Sequence, residues 1–202
     1  LKSWFHLTSD NLVDWQAEGV KLEPSTKYDS HGVYSGTALP IGEELLLAYT
    51  GNVRDRDWNR LSYQMGALMN TQNQITKIEQ PLIPAPPEGY TDHFRDPQVI
   101  PYQGGYLLII GAQTVQEEGK VLVYQGDTYT NWQLLGELDY MPAQAGYMVE
   151  CPNLVFIKEQ PVLIFCPQGM AKEDFAYQNI YPNTFVVGEQ FDVNNVTLTN
   201  PQ

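Results

Sequence analysis

Short apolar runs bounded by Gly, Pro, Asn and Asp recur along the whole chain, and segments with helical periodicity are nearly absent. Runs of this kind are typical of β-strands. The proline-rich segment 81–89 is predicted to be a surface loop, because proline does not fit a central strand. We therefore predict an all-β protein without a linker or a domain boundary inside residues 1–202.

One strand–turn–strand unit occurs three times. Its first strand begins near Ser35, Asp96 and Glu150, and each unit continues through a short polar turn into a second apolar strand. The interval is roughly 60 residues, near the ~40–50 residues of known propeller blades with some loop insertion. Because the innermost strands of a propeller surround one central channel, these three residues are predicted to meet at one end of it. The chain would then hold three to four blades.

A second repeat predicts outer strands of two blades. Residues 11–19 and 129–136 share a polar turn, a tryptophan and a following glycine. We interpret Trp15 and Trp132 as residues that pack between blades rather than as platforms for a sugar.

Composition narrows the class of partners. A hydrophobic fraction of 43% with 12% aromatic residues is that of a folded globular protein. With a net charge of −13 and a pI near 4.4, the chain is not expected to bind nucleic acid or an anionic membrane. No membrane span or signal peptide is visible in the sequence, and a small neutral molecule such as a sugar fits better. The oligomeric state is not indicated.

Two cysteines bracket one predicted hairpin. A disulfide between Cys151 and Cys166 is geometrically possible, but two buried free thiols are favoured. This favours a reducing compartment, so we expect a cytoplasmic protein. His6, His31 and His93 are scattered, and no cluster has the spacing of metal ligands, so no metal or cofactor is expected.

Asp96 and Glu150 are the candidate catalytic residues. Glycoside hydrolysis uses one carboxylic acid to protonate the leaving oxygen, and one carboxylate to attack or stabilise the oxocarbenium-like centre. The alternative is that each acid only caps a turn before the proline that follows it.

Three further residues are candidates for sugar binding. Arg95 is either a ligand of sugar hydroxyls or an ordinary surface arginine. Tyr34 and Ser35 either pack on and hydrogen-bond to a sugar ring or are ordinary strand residues.

Residues 54–60, Arg-Asp-Arg-Asp-Trp-Asn-Arg, form the densest cluster of positive charge in this acidic chain. A solvated loop is the favoured interpretation, and the alternative is contact with an anionic group of a substrate. A calcium loop is disfavoured because its arginines would repel the ion.

Three motifs resemble glycoside hydrolase family 32, the β-fructosidases. They are Tyr34-Ser35-Gly36-Thr37 for the family's Phe/Tyr-Ser-Gly-Ser, Phe94-Arg95-Asp96-Pro97 for its Arg-Asp-Pro, and Glu150-Cys151-Pro152 for its Glu-Cys-Pro. The motifs keep the order and spacing of the family, and the resemblance covers nearly the whole chain. Within the family it is nearest to the bacterial sucrose-6-phosphate hydrolases.

The resemblance implies a five-bladed β-propeller, incomplete in this chain, and retaining hydrolysis of terminal β-D-fructofuranosides by the parent enzyme. Sucrose 6-phosphate or sucrose would be the substrate; a fructan hydrolase and a non-catalytic sugar-binding propeller are the alternatives. Glu150 would be the general acid and base, and Asp96 the transition-state stabiliser. Tyr34, Ser35 and Arg95 would bind the fructose.

The chain departs from the family at the nucleophile. The family's Trp-Met-Asn-Asp-Pro-Asn-Gly motif is absent, and Asn11 and Asp14 do not reproduce it. Residues 1–202 are therefore expected to be a partial catalytic domain without the nucleophile-bearing N-terminus, the last blade and the C-terminal β-sandwich. A retaining enzyme without its nucleophile cannot form the glycosyl-enzyme intermediate, so we expect these 202 residues alone to be inactive.

Overall fold

The computed structural model describes residues 1–140, 145–172 and 179–202, and all regular elements in these ranges are β-strands. The fifteen strands form sheets of two to four members. The prediction of an all-β protein is confirmed. Over the described ranges, no helix has the length and apolar character needed to cross a bilayer.

The first part of the chain forms a small sheet and then one complete blade. The small sheet pairs β1 (Trp4–Thr8) with β2 (Gln16–Leu22). The blade is a four-stranded antiparallel meander of β3 (Val33–Ile41), β4 (Glu44–Arg54), β5 (Arg60–Met69) and β6 (Ile75–Lys77).

The rest of the chain repeats this arrangement. The second blade contains β7 (Tyr90–Tyr102), β8 (Gly105–Thr114), β9 (Gly119–Thr128) and β10 (Asn131–Glu137). The third contains β11 (Met148–Ile157), β12 (Gln160–Gln168) and β13 (Thr184–Val187), and a last pair joins β14 (Phe191–Asp192) to β15 (Thr197–Leu198). The described sheets thus form three blades and part of a fourth, as predicted, and do not close into a ring.

The two-residue turns after the inner strands explain the repeat in the sequence. Gln103 and Gly104 have φ angles of 47° and 84°, and Lys158 and Glu159 have 50° and 70°. Positive φ at both central residues is the type I′ geometry, whose twist matches that of the flanking strands. The predicted strand–turn–strand unit is therefore confirmed.

Apolar side chains fill the space between neighbouring sheets. In β8, Leu107 and Ile109 pack towards the third blade, whereas Leu108 and Ile110 pack towards the first. Successive side chains of a strand point to opposite faces, so a strand buried on both faces has a continuous apolar run. A third cluster, around Leu22 and Tyr49, joins the small sheet to the first blade.

Two expectations about packing need correction. Trp132 packs between the first two blades as predicted, but Trp15 is 53% exposed, so the packing role is wrong for it. Segment 81–89 is not wholly on the surface, because Leu82 and Ile83 are buried and hydrogen-bond to the backbone of Gln64 at 2.7 and 2.9 Å. The prolines of this segment led to the prediction of a surface loop, although Leu82 and Ile83 are apolar.

The cysteine prediction is half right. Cys151 and Cys166 are free thiols, as favoured, but Cys151 is exposed and Cys166 only half-buried. Both lie at the mouth of the hairpin formed by β11 and β12, where the strands open towards the candidate site.

Candidate active site

The inner strands β3, β7 and β11 pack side by side, and a cavity of about 360 Å³ opens where they begin. Its volume is within the ~300–1,000 Å³ typical of small-molecule sites. The cavity is lined by Lys2, Tyr34, Ser35, Arg60, Arg95, Asp96, Glu150 and Cys151. All five predicted site residues therefore face one pocket. Lys2 and Cys151 were not predicted there, and Arg60 comes from the segment 54–60 whose alternative interpretation was contact with an anionic group of a substrate.

Each inner strand has a bulge where it reaches the pocket. The register breaks between Val33 and Gly36 in β3, and at the corresponding points beside Asp96 in β7 and Glu150 in β11. Neighbouring residues on a regular strand point to opposite faces. The bulge lets Arg95 and Asp96 both line the pocket, because a bulge redirects side chains.

Asp96 lies at the bottom of the pocket and is 6% exposed. Its backbone has a φ of 68°, a conformation that a non-glycine residue adopts only when its surroundings impose it. One carboxylate oxygen, Oδ2, accepts a hydrogen bond from the backbone N–H of Cys151 at 2.9 Å. Burial and, less strongly, the charge of Glu150 raise the pKa of Asp96, against the opposing effects of Cys151 and Arg95.

The thiol of Cys151 also contacts Asp96, with Sγ 3.6 Å from Oδ2. Although Cys151 keeps solvent-accessible surface, desolvation by the surrounding protein and the carboxylate of Asp96 raise the pKa of this thiol to about 12, so it remains protonated and donates to Asp96. Cys151 itself has a φ of 48°. The two bulges therefore hold each other through the backbone and side chain of one residue.

A buried polar chain fixes the bulge of β7 to the first blade. The N–H of Asp96 donates to Thr50 Oγ1 at 2.8 Å, and this hydroxyl donates to Gln64 Oε1 at 2.9 Å. The amide nitrogen of Gln64 in turn donates to the carbonyl of Phe94 at 3.0 Å. Thr50 and Gln64 were missed from the sequence, although a threonine that ends the apolar run of β4 was a usable signal.

Glu150 is held by Arg95. The Nε and Nη2 groups of Arg95 donate to Glu150 Oε1 at 2.9 and 2.8 Å. The other oxygen, Oε2, makes no hydrogen bond to any residue in the described part of the chain. The side chain of Glu150 is 32% exposed, so this carboxylate lies nearer the mouth of the pocket than Asp96 does.

His93 supports Arg95 from behind. Its Nδ1 lies 3.1 Å from Arg95 Nη1. Burial lowers the pKa of His93, and the charges of Arg95 and Arg60 lower it further, so the neutral ring accepts this hydrogen bond. The contacts from His93 to Arg95 and from Arg95 to Glu150 thus fix the position of Glu150 Oε1 and leave Oε2 free of hydrogen bonds within the described ranges.

Close backbone packing also positions Glu150. A Cβ atom on Gly111 of β8 would lie 2.0 Å from the carbonyl oxygen of Val149, the residue before Glu150. Only glycine permits β8 and β11 to approach this closely.

Tyr34 and Ser35 form the opposite wall. The indole nitrogen of Trp4 donates to the carbonyl of Tyr34 at 2.9 Å, which anchors the strand start. Ser35 is exposed, and its hydroxyl has no hydrogen-bond partner within the described ranges. A group of three or more His, Cys, Asp or Glu placed to hold a metal ion is not found among the residues described.

The pocket combines a buried carboxylate, a half-exposed carboxylate with one free oxygen, and donors around both. This set can exchange a proton near its mouth and stabilise positive charge at its base, which is the chemistry of a propeller glycosidase. The glycosyl hydrolases family 32 N-terminal domain matches residues 1–202. The chain belongs to glycoside hydrolase family 32, which confirms the resemblance of its motifs.

Two similar proteins are sucrose-6-phosphate hydrolases. The chain is 54% identical over 202 residues to that of Pediococcus pentosaceus, covering 100% of this chain and 40% of the relative. It is 46% identical over 202 residues to that of Streptococcus mutans, covering 99% and 42%. The chain therefore spans about two fifths of the length of these relatives.

Solved structures agree. The sucrose-6-phosphate hydrolase from Lactobacillus gasseri superposes with a TM-score of 0.92 at 44% identity, covering 98% of this chain and 41% of that one. A family 32 β-fructofuranosidase mutant of Bombyx mori, in complex with sucrose, superposes with a TM-score of 0.85 at 28% identity, covering 99% and 43%. The described sheets are thus those of an incomplete propeller of this family.

Proposed function

We propose that the gene product containing these residues hydrolyses terminal β-D-fructofuranosides with retention of configuration, with sucrose 6-phosphate or sucrose as its substrate. The observation that carries the proposal is one pocket with a buried Asp96 and a half-exposed Glu150. The names of the relatives, and the sucrose bound to the Bombyx mori enzyme, support this substrate class.

Glu150 acts as the general acid and then as the general base. Its Oε2 is free of protein hydrogen bonds within the described ranges, so it can approach the glycosidic oxygen while Arg95 holds Oε1. After the leaving sugar departs, the same oxygen takes a proton from the attacking water.

Asp96 stabilises the transition state. It is fixed by the N–H of Cys151 and by its own N–H to Thr50, so it needs no rearrangement when positive charge develops on the fructosyl ring. Arg95, Tyr34 and Ser35 bind the fructose hydroxyls and ring, since all three line the same cavity.

These 202 residues alone are inactive under this proposal. Retaining hydrolysis needs a nucleophile in addition to the acid/base, and the carboxylates that line the described pocket are those already assigned to Glu150 and Asp96. The test is release of fructose from sucrose and from sucrose 6-phosphate by the 202-residue chain and by the full gene product. Hydrolysis by the chain alone would refute the assignment of roles.

The full gene product decides between this activity and the alternatives. Faster hydrolysis of inulin or levan than of either sucrose would favour a fructan hydrolase. Binding of fructosides without release of fructose would favour a non-catalytic sugar-binding propeller.

A further inference from the structure

Positive charge is concentrated at this pocket in an otherwise acidic protein. The chain has a net charge of −13 and eleven lysines and arginines, and Lys2, Arg60 and Arg95 line one cavity. Arg54 is the cross-strand partner of Arg60 and adds a fourth positive charge nearby. Burial and the charges of Arg95 and Arg54 lower the pKa of Arg60, which indicates mutual repulsion among these groups.

Of the three cations that line the cavity, only Arg95 is paired with a protein carboxylate in the described part of the chain. Arg95 pairs with Glu150, but Lys2 and Arg60 form no ion pair with the residues that the structure describes. The carboxylate of Asp55, in the loop before Arg60, is used by backbone N–H groups of Asp57 and Asn59 at 2.9 and 2.8 Å. Asp55 therefore stabilises the loop through its own backbone and forms no ion pair with Arg60. The guanidinium of Arg60 remains available to a ligand.

Contacts with β3 fix the positions of the two cations. The carbonyl of Lys2 accepts a hydrogen bond from the N–H of Val33 at 2.9 Å. The ammonium of Lys2 lies 4.5 Å from the centre of the Tyr34 ring, and the guanidinium carbon of Arg60 lies 5.9 Å from the same centre. One aromatic ring thus brings both cations to one wall of the pocket.

The two cations lie nearer the mouth of the pocket than Asp96, which lies at its bottom. Asp96 is 6% exposed, whereas Glu150, with its side chain 32% exposed, and Arg60 are both half-buried and Lys2 is exposed. A general acid protonates the oxygen of the leaving sugar, so the fructose lies below Glu150 and the leaving sugar lies above it. Arg60 therefore lies at about the level of Glu150 and Lys2 lies nearer the mouth, which is the side of the leaving sugar.

We propose that Lys2 and Arg60 form a subsite for a phosphate group carried by the leaving sugar, so that they determine a preference for the phosphorylated fructoside. The inference rests on the proposed function, because the role of Glu150 defines the side of the leaving sugar. A guanidinium binds two phosphate oxygens at once, and an ammonium adds a compact second charge. Bound phosphate would offset the repulsion of Arg60 by Arg95 and Arg54.

The kinetic test compares Arg60→Met with Arg56→Met in the full gene product. Arg56 belongs to the same loop but is exposed and does not line the cavity. A hydrogen bond to a charged group contributes about 1.5–3 kcal/mol, so R60M should lower the ratio of kcat/KM for sucrose 6-phosphate to kcat/KM for sucrose by about 10–100-fold. R56M should leave the ratio unchanged, and Lys2→Met should lower it. Equal losses on both substrates in R60M would overturn the subsite.

Calorimetry separates this inference from the proposed function. The probe is glucose 6-phosphate, with glucose as the uncharged control, added to the gene product and to R60M. We expect R60M to weaken glucose 6-phosphate binding at least about tenfold while R56M does not. If the gene product hydrolyses no fructofuranoside but shows this dependence on Arg60, the proposed function fails and the anion subsite stands. If it hydrolyses sucrose 6-phosphate, and R60M changes neither the ratio nor the binding, the subsite fails and the function stands.

Discussion

Thr50 is the residue that we expect to control the position of Asp96. Its hydroxyl accepts from the N–H of Asp96 at 2.8 Å and donates to Gln64 Oε1 at 2.9 Å, and all three residues are buried. Thr50→Val keeps the shape of the side chain but removes both hydrogen bonds. The change therefore tests the tether without opening a cavity.

The magnitude follows from the two groups left without a partner. An unsatisfied buried polar group costs about 1–3 kcal/mol, so two cost about 2–6 kcal/mol. A methyl group in place of the hydroxyl offsets about 1 kcal/mol. We therefore expect T50V to lose about 1–5 kcal/mol of stability. The φ of 68° at Asp96 is no longer enforced, and a carboxylate displaced by about 1 Å lowers kcat by about 100-fold.

Urea unfolding and initial rates of the full gene product measure both effects. Thr50→Ser keeps the hydroxyl and should retain most of the activity. Thr76→Val, on the exposed face of β6, is the matched control and should change stability by less than about 0.5 kcal/mol. If T50V matches T76V in stability and the wild type in kcat, the tether does not position Asp96.

The remaining predictions concern charge. Glu150→Gln and Asp96→Asn should each lower kcat by about 10²–10⁴-fold in the full gene product, measured as fructose release with an unchanged circular dichroism spectrum; a wild-type rate in either contradicts its role. Burial alone would raise the pKa of Asp29, but hydrogen bonds from Lys77, backbone N–H groups and Tyr49 lower it below its ordinary value of 3.8. A lowered pKa stabilises the folded state above the unfolded-state pKa, and this contribution is lost as pH falls through the folded-state pKa. Asp29→Asn should therefore destabilise the protein at pH 7, and its difference from the wild type should shrink below about pH 4. A difference that does not vary with pH would contradict a stabilising ion pair between Asp29 and Lys77.

The fold was predictable because its signals are local. The apolar strands and the polar turns after β3, β7 and β11 are adjacent in sequence, so the pattern indicated the sheet class and the repeat without long-range information. The prediction of burial failed at residues whose local sequence indicates one environment and whose position in the fold gives another. Trp15 is apolar but exposed. Leu82 and Ile83 are buried although they lie in a proline-rich segment, because the residues that they pack against lie elsewhere in the chain.

The candidate site was predictable only in part, for a related reason. Asp96 and Glu150 were found because each begins a copy of the repeat, and repeat position fixes the place of a residue in a propeller. Thr50, Gln64 and His93 support them through contacts that cross blades or depend on a bulge, which no spacing in the sequence shows.

The bulges in β7 and β11 bring Asp96 and Cys151 into contact, although the two residues belong to different blades. A regular ladder would point Arg95 and Asp96 to opposite faces, and would leave Cys151 paired with β12 instead of presenting its N–H to Asp96. Positive φ angles at Asp96 and Cys151 are the backbone cost of this arrangement. Because the backbone N–H and the thiol of Cys151 both donate to Asp96, loss of either bulge should disturb both carboxylates. The two catalytic candidates thus form one structural unit, although they belong to different blades.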